Sequence, residues 1–580
     1  MAPLLFNVSG AFLLLALVIP LLLNNQEWLS PVKQLLARSE PTCRCFPGDD
    51  CWPTEQEWNE FNKTLGGKLI ATKPLASPCH HDSFGPYDAE KCAEIQAVWG
   101  FPETHYKSSS SVQAGWYANQ SCDPFLPSDA PCVIGTYVLY AVNASDASDY
   151  QKTIEFTKAR SIRLVIRNTA HDYMGKSTGA GAVAIWTHNL KDIQFLDYAS
   201  PHYTGKAVKV GAGVQVFEVN EAAKEQGLVV VGGNCDTVGI AGGYSQGGGT
   251  SQLASRFGLA ADQVLEWEVV TGTGELLVAS QSENTDLYWA LSGGGGGTYG
   301  VVLSMTSKAY PEMRTATANL TFTSAGVSQD SFYDAVETFI STIGPILHAG
   351  GVSIWFMTSA AFFSVPTTLP GGTKEQLHEL LSPAIAKLEE SGIQYTYFID
   401  DFPTFYDSYK AMTPPSNITD FQLGGRLIPR SVLDSNPHGL VTALRSASDH
   451  GTLVSGVAVN VSRQAHIPDN GVNPALRNAA ISIVIGTPFS YADWDQNLAN
   501  QRLMTDVIIP PLEALTPGGG AYLNEADPFQ PNWQAAFYGD KYEKLTAIKN
   551  KYDPDHIFYG RTAVGSEYWT PQADGRLCRA

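Results

Sequence analysis

Two long glycine-rich loops, each entered from a short apolar run, constrain this chain more than any other feature of its 580 residues. The first, RNTAHDYMGKSTGAG (167–181), follows IRLVI (162–166), and the second, GGNCDTVGIAGGYSQGGGTS (232–251), follows LVVV (228–231). A strand that runs into small and polar residues leaves backbone N–H groups free at its end, where a phosphate could be held. The flanking pattern predicts a strand over 136–142, a helix capped by Ser145 or Asp146 and running to about Arg160, and a strand over 162–166, which make a β-α-β unit. A second unit is predicted from the strand AVKVGAG (207–213), a helix over Val216–Gln226 and the strand 228–231. Next comes a hairpin, EWEVVTGTGELLVA (266–279), turned at TGTG, and then DLYWALSGGGGGTYGVV (286–302). The five consecutive glycines in that last segment let a backbone approach something flat or charged.

Beyond Pro311 the character changes. From about Thr315 to Arg502 the dense glycine loops stop, and strand-like runs (ANLTFT, GVSIWFM, TLVSGVAVNV, AAISIVIG) alternate with helical ones (SQDSFYDAVETFISTI, KEQLHELLSPAIAKLEE). This predicts a separate α+β region. The tail, from GGGAYLNEADPF (518–529) through YEKLTAIKNKYDPDHIFYG (542–560), adds a cappable helix and a turn.

Charge and motif spacing remove several classes of function. Lys plus Arg total 37 against 57 Asp plus Glu, a net charge of −20, and such a field repels nucleic-acid backbones and anionic lipid. No GxxxxGK[ST], HExxH or CxxC occurs, so nucleotide-hydrolase and zinc readings lack support and no metal is expected. The loop GNCDTVGIAGGYSQGGG (233–249) also lacks the G-x-G-x-x-G spacing that opens a helix after a strand in a nicotinamide-binding fold.

Nine cysteines are present, seven of them between Cys43 and Cys132, with Cys235 and Cys578 apart. An apolar run from Ala11 to Leu23 precedes them, and six Asn-x-Ser/Thr sites follow, at Asn62, Asn119, Asn143, Asn319, Asn417 and Asn460. These features point to the secretory pathway and an extracellular product, with a signal peptide in about residues 1–25. The alternative is a single-pass anchor, because the uncharged stretch from Pro3 to Leu23 is long enough to span a bilayer. Eight cysteines suffice for four disulfides whose connectivity the sequence leaves open, and the ninth needs another role.

His171 and Cys235 each sit inside one of the two glycine-rich loops. On local pattern alone, His171 is equally readable as a turn histidine bonded to nearby backbone, and Cys235 as a buried apolar residue or half a disulfide. The longer motifs go further. RNTAHDYMGKSTG, GGNCDTVGIAGGYSQGGG, ENTDLYWALSGGGGGTYGVV, YLNEAD and KYDPDHIFYGRTAVGSEYW resemble, in that order, the berberine bridge enzyme-like flavoprotein oxidases of the vanillyl-alcohol oxidase superfamily, with the fungal secreted branch nearest. The likeness covers about residues 125–310 and 515–570.

The resemblance implies a two-domain α+β fold. An FAD-binding PCMH-type domain would span about 125–312 and be completed by residues 511–580, after a Cys-rich region over 26–124. A substrate domain over 313–510 would present an antiparallel sheet covered by helices. It also implies covalent FAD, bonded at its 8α-methyl by His171 and at C6 by Cys235. The backbone of Arg167, Asn168, Thr169 and Asp172 would then cradle the pyrophosphate, with the Thr169 hydroxyl contributing. Gly175, Val238, Gly239 and Val301 would line the cofactor site, and the stretch holding Gly242, Gly243, Gly247 and Gly248 would pass close to the cofactor. Tyr522 is the expected base and Asn524 a polar neighbour, with Glu525 and Asp527 in reserve; a tyrosine base needs its pKa depressed by a cation or hydrogen bonds.

Two departures stand out: the family usually has glycine where this chain has Ala170, and many relatives have proline where it has Asp236. A Cβ at 170 strains the loop if that position needs positive φ. The reaction implied is hydride transfer from an alcohol, sugar or secondary-metabolite carbon to flavin N5, then to O₂ as H₂O₂, so a small-molecule substrate and O₂ are the expected partners. A dehydrogenase using another acceptor and a non-catalytic flavin-holding glycoprotein are the alternatives. The substrate and the oligomeric state are left open.

Overall fold

The computed structural model describes residues 43–81, 84–415, 417–418, 420–462 and 467–580. The expected signal peptide or anchor lies outside the described residues. Three large sheets organise the described residues. The first contains β1 (Leu69–Ala71), β2 (Tyr140–Asn143), β3 (Leu164–Arg167) and β4 (Val183–Trp186) in the order β1-β2-β4-β3, with β4 parallel to both β2 and β3. The helix Ala147–Ala159, capped where Asp146 accepts the N–H of Asp149, joins β2 to β3 as the expected β-α-β unit, and β4 inserts between the two strands.

The second sheet contains β5 (Ile193–Ala199), β6 (Thr204–Gly211), β7 (Leu228–Val230), β8 (Val264–Thr271), β9 (Leu276–Ser280) and β10 (Gly300–Pro311). Here the second expected β-α-β unit is corrected. β6 and β7 flank the helix Val216–Glu225, yet both pair antiparallel with β10 rather than with each other in a parallel sheet. Local pattern identifies the strands and the helix, whereas the partner strand lies some ninety positions away in sequence. The TGTG hairpin is present as β8 paired antiparallel with β9.

The third sheet contains β11 (Thr315–Thr323), β12 (Val352–Met357), β13 (Ala361–Pro370), β14 (Tyr395–Phe402), β15 (Phe421–Pro429), β16 (Leu453–Ala458) and β17 (Ala479–Pro488), ordered β14-β11-β13-β12-β16-β17-β15 and antiparallel throughout. Pattern reading does not single out β13, β14 or β15: Pro366 interrupts β13 and Gly424–Gly425 interrupts β15, and both read locally as breakers. One face of this sheet packs on the helices Gln329–His348, Lys374–Glu390 and Pro437–Asp449 through Phe339, Ile343, Leu381 and Leu444. From the other side, Val352, Ile354 and Leu427 meet Ala254, Leu259 and Tyr522. The glycine-rich loops and the tail therefore lie against the third sheet, and the site forms along that seam.

The tail is fastened into the flavin-type region at two places. The Lys549 ammonium, fully buried, donates to the carbonyls of Thr298 (2.7 Å) and Phe558 (2.8 Å) and pairs with Asp553, which ties the five-glycine segment to the KYDPDHIFYG turn. Residues Trp569–Pro571 pair with Leu577–Arg579, and the disulfide Cys43–Cys578 closes the chain on itself. The remaining pairs are Cys45–Cys51, Cys79–Cys92 and Cys122–Cys132, so eight cysteines are bridged and Cys235 stands outside the disulfides.

Candidate active site

The loops that leave β3 and β7, the five-glycine segment and the tail enclose one cavity of about 1290 Å³, counted out to its mouth. Its shape follows from bare backbones. A Cβ on Gly296 would come within 2.7 Å of Gly243 Cα, and one on Gly239 within 2.8 Å of Asn168 Oδ1, so only glycine lets these loops close on each other.

The first loop is knotted from within. The Asp172 carboxylate accepts the N–H of Met174 (3.0 Å) and the N–H and hydroxyl of Ser177 (2.6 and 2.8 Å). The Thr169 hydroxyl accepts the Gly239 N–H at 3.3 Å, and Asn168 donates to the Ala212 carbonyl at 2.5 Å, so the first loop is stitched to its surroundings. Ala170 sits at φ +63°, the left-handed region that disfavours a Cβ, and it is buried directly before His171.

These stitches bring together two side chains 64 positions apart. Cys235 Sγ lies 4.0 Å from His171 Nε2, and the Thr237 hydroxyl lies 2.7 Å from the same nitrogen. His171 Nδ1 and Asn168 Oδ1 are buried without a hydrogen-bond partner. Both observations fit the flavin expected from the loop motifs, since its 8α and C6 positions lie on one ring and would meet a nitrogen and a sulfur held this close together. Lys176 adds a cation at the wall. Burial pushes its ammonium down to about 8, opposed by the Asp172 carboxylate.

Of the residues singled out from the sequence, Asn168, Thr169, His171, Asp172, Val238, Gly239, Gly242, Gly243, Tyr522 and Asn524 line the cavity. The others do different work. Arg167 turns away from it: its guanidinium, wholly buried and pushed down to about 9 by desolvation, donates to the carbonyls of His105, Ser108 and Ser111. It anchors the Cys-rich region to β3 and offers its side chain to no cofactor. Gly175, at φ +69°, lets the loop pass the Tyr117 ring, where a Cβ would come within 2.3 Å of Cδ1. Gly247 makes room for the Asn524 amide and Gly248, at φ +134°, for Leu476, and Val301 is packed into the core beneath the first sheet while its neighbours Gly300 and Val302 reach the wall.

Tyr522 and Glu525 divide the acid-base question. The Tyr522 oxygen accepts the Gly249 N–H (3.1 Å) and the Asn524 amide (2.9 Å), and Asn524 also donates to the Gly243 carbonyl (2.8 Å). Burial, reinforced by the nearby Glu525 carboxylate, moves the phenol above its ordinary value, opposite to what a tyrosine base needs. Burial pushes Glu525, which also lines the cavity, up to about 7. The other reserve carboxylate, Asp527, is engaged by the Thr505 hydroxyl (2.5 Å) and the Phe529 N–H (2.8 Å). Lys176, Tyr244, Phe558 and Tyr559 at the cavity wall, and Thr237 beside His171, are not singled out by the sequence; the motif GKS, a lone cation among small residues in an acidic chain, is a signal for the first.

Comparison with known proteins agrees with this geometry. Residues 138–280 match the family described as FAD binding domain, and residues 521–565 match Berberine and berberine like. The FAD-linked oxidoreductase sor8 of Hypocrea jecorina is 50% identical over 542 residues, covering 93% of this chain and 94% of that protein. The VAO-type flavoprotein oxidase VAO615 of Thermothelomyces thermophilus is 41% identical over 554 residues, 93% of this chain and 96% of its own. The crystal structure of VAO-type flavoprotein MtVAO615 from Myceliophthora thermophila C1 superposes with a TM-score of 0.88 at 40% identity, covering 93% of this chain and all of that one. With the family's two matched segments meeting at one cavity, this chain belongs to the FAD-linked oxidoreductases of the vanillyl-alcohol oxidase and berberine bridge enzyme type.

Proposed function

We propose that this chain is a secreted oxidase, bonded to its FAD through both His171 and Cys235, that oxidises an alcohol, sugar or secondary-metabolite carbon with O₂ as the final acceptor. The observation that carries the proposal is the 4.0 Å approach of Cys235 Sγ to His171 Nε2, delivered by two separate loops, with His171 at the cavity wall. A relative at 41% identity named as an oxidase supports O₂ as acceptor. Eight bridged cysteines, and exposed Asn119 and Asn417 within glycosylation sequons, support passage through the secretory pathway.

When bound, the flavin supplies a two-electron acceptor for hydride and hands the pair to O₂, giving H₂O₂. The protein's own residues do the rest. Backbone N–H groups of the first loop and the Lys176 ammonium hold the anionic part of the cofactor. Glu525 takes the proton that the substrate hydroxyl loses, because a carboxylate at about 7 is both substantially ionised and a useful acceptor at neutral pH. Tyr522, whose oxygen already accepts two hydrogen bonds, keeps its proton and donates a hydrogen bond to a substrate oxygen.

Acid precipitation of the secreted protein, followed by absorbance and peptide mass, tests the proposal. Flavin retained on the His171 and Cys235 peptides is the expected result. Flavin on His171 alone removes the second bond, and a colourless precipitate refutes covalent attachment altogether.

A further inference from the structure

We infer that Thr237 is the positioning residue for flavin attachment: its hydroxyl accepts the Nε2 proton of His171 and directs its own proton to Cys235 Sγ, so that one side chain prepares both attaching atoms. The inference rests on the reading that His171 and Cys235 bond the flavin.

The geometry is a closed triangle. Thr237 Oγ1 lies 2.7 Å from His171 Nε2 and 3.6 Å from Cys235 Sγ, and the sulfur lies 4.0 Å from that nitrogen. A hydroxyl has one proton and two lone pairs, so it can accept from one neighbour while donating to the other. A neutral imidazole carries a proton on one nitrogen only, and the nitrogen that bonds carbon must be the other one. With Nε2–H donated to Thr237, the lone pair stays on Nδ1, the buried atom for which nothing in its surroundings competes. The reverse arrangement, Thr237 donating to Nε2, would put the proton on Nδ1, leave a buried N–H unpaired and block the reaction there.

Thr237 is built to hold still. Gln215 Nε2 donates to its carbonyl at 2.6 Å, and the Phe217 and Val216 N–H groups, at the start of the helix Val216–Glu225, bond the carbonyls of Asp236 (2.8 Å) and Val238 (3.0 Å). With the backbone fixed on both sides, the branched Cβ leaves the hydroxyl few orientations.

The covalent chemistry balances with O₂ as the oxidant. At His171 a flavin C–H and the imidazole N–H are exchanged for a C–N bond, and at Cys235 a C–H and the S–H for a C–S bond. Each exchange releases two electrons and two protons, which reduce one O₂ to H₂O₂. The histidine's proton departs from Nε2, the atom Thr237 holds.

The test compares wild type, Thr237→Ser and Thr237→Val as full-length secreted proteins. Total flavin is read by absorbance before acid precipitation, and bonded flavin afterwards, peptide by peptide, at a fixed time after adding FAD in air. The loss of one hydrogen bond predicts that Thr237→Val keeps its total flavin while bonded flavin on the His171 peptide falls roughly fivefold to tenfold, and that Thr237→Ser stays within about twofold of wild type. Equal bonding in Thr237→Val and wild type would overturn the inference. So would loss of flavin in every form from Thr237→Val, or failure of Thr237→Ser to restore bonding, because the residue would then shape the site rather than prepare its atoms. A wild type with no bonded flavin would instead sink the attachment reading itself.

Discussion

Replacing Glu525 by Gln is the most discriminating perturbation of the proposed chemistry. The side chain keeps its size and loses only its capacity to take a proton. Glu525 titrates at about 7, so it is half ionised at neutral pH and about tenfold less ionised for each pH unit below that. A base must be deprotonated to act, so the rate of flavin bleaching should rise through about pH 7 and level off above it. Tyr522, shifted upward, holds its proton across that range, and a tyrosine base would leave the rate still climbing far into alkali. A positioned base contributes roughly 10²- to 10⁴-fold, about 3–5 kcal/mol of barrier, and Glu525→Gln should lose that much together with the limb near 7. Tyr522→Phe strands the Gly249 N–H and the Asn524 amide, costs about 1–3 kcal/mol of stability and keeps the limb. The assay is anaerobic mixing of wild type and both variants with an alcohol or sugar that yields peroxide in a screen, with bleaching followed against pH. A Glu525→Gln protein that bleaches within tenfold of wild type on an unchanged pH profile would refute the assignment.

Lys176→Met, made in a His171→Ala, Cys235→Ala background so that flavin is held by contacts alone, should lower FAD affinity about tenfold, the effect of one charge-assisted contact, read by absorbance after dialysis. Arg167→Met should cost about 3 kcal/mol or more, because the buried carbonyls of His105, Ser108 and Ser111 lose their donor, and it should show as reduced secreted yield and a lower Tm with no specific effect on substrate affinity. Ala170→Gly should raise stability by up to about 1 kcal/mol, since a Cβ at φ +63° costs about 1–2 kcal/mol and glycine returns part of that to the unfolded chain; a loss of stability in denaturant titration would contradict the strain.

What was legible in the sequence was what backbones dictate. Gly239 and Gly296 announce the cavity because a Cβ on either would come within 2.8 Å of Asn168 Oδ1 or 2.7 Å of Gly243 Cα, and that need is written directly as glycine. His171 and Cys235 interrupt the glycine-rich loops, yet on local pattern each reads equally as a turn or packing residue, and only the longer motifs single them out. What depends on where a side chain turns was not legible. Arg167 begins the first loop, and nothing local says that its guanidinium reaches back to residues 105–111 instead of forward to a phosphate. Tyr522 against Glu525 is decided by burial and by which oxygen already holds two donors, and both depend on the Gly249 loop arriving from 273 positions away. The strands β13 and β15 were hidden because an interior proline or paired glycines read as breakers, while the long antiparallel neighbours that override them are non-local.

The position of Ala170 ties the fold to the chemistry. A residue held in the left-handed region persists only where its surroundings over-determine it. Here the Asp172 carboxylate fixes the chain just after it through Met174 and Ser177, the Thr169 hydroxyl fixes the chain just before it through Gly239, and the Ala170 carbonyl accepts the Asp172 N–H at 2.9 Å. The strain therefore falls on the one residue between two stitches, beside the histidine those stitches aim toward Cys235. A looser loop would relieve Ala170 and let His171 drift from Thr237. The same hydrogen bonds that offset the strain are the ones that keep His171 Nε2 4.0 Å from Cys235 Sγ, so the cost in stability and the precision of the site have a single structural source.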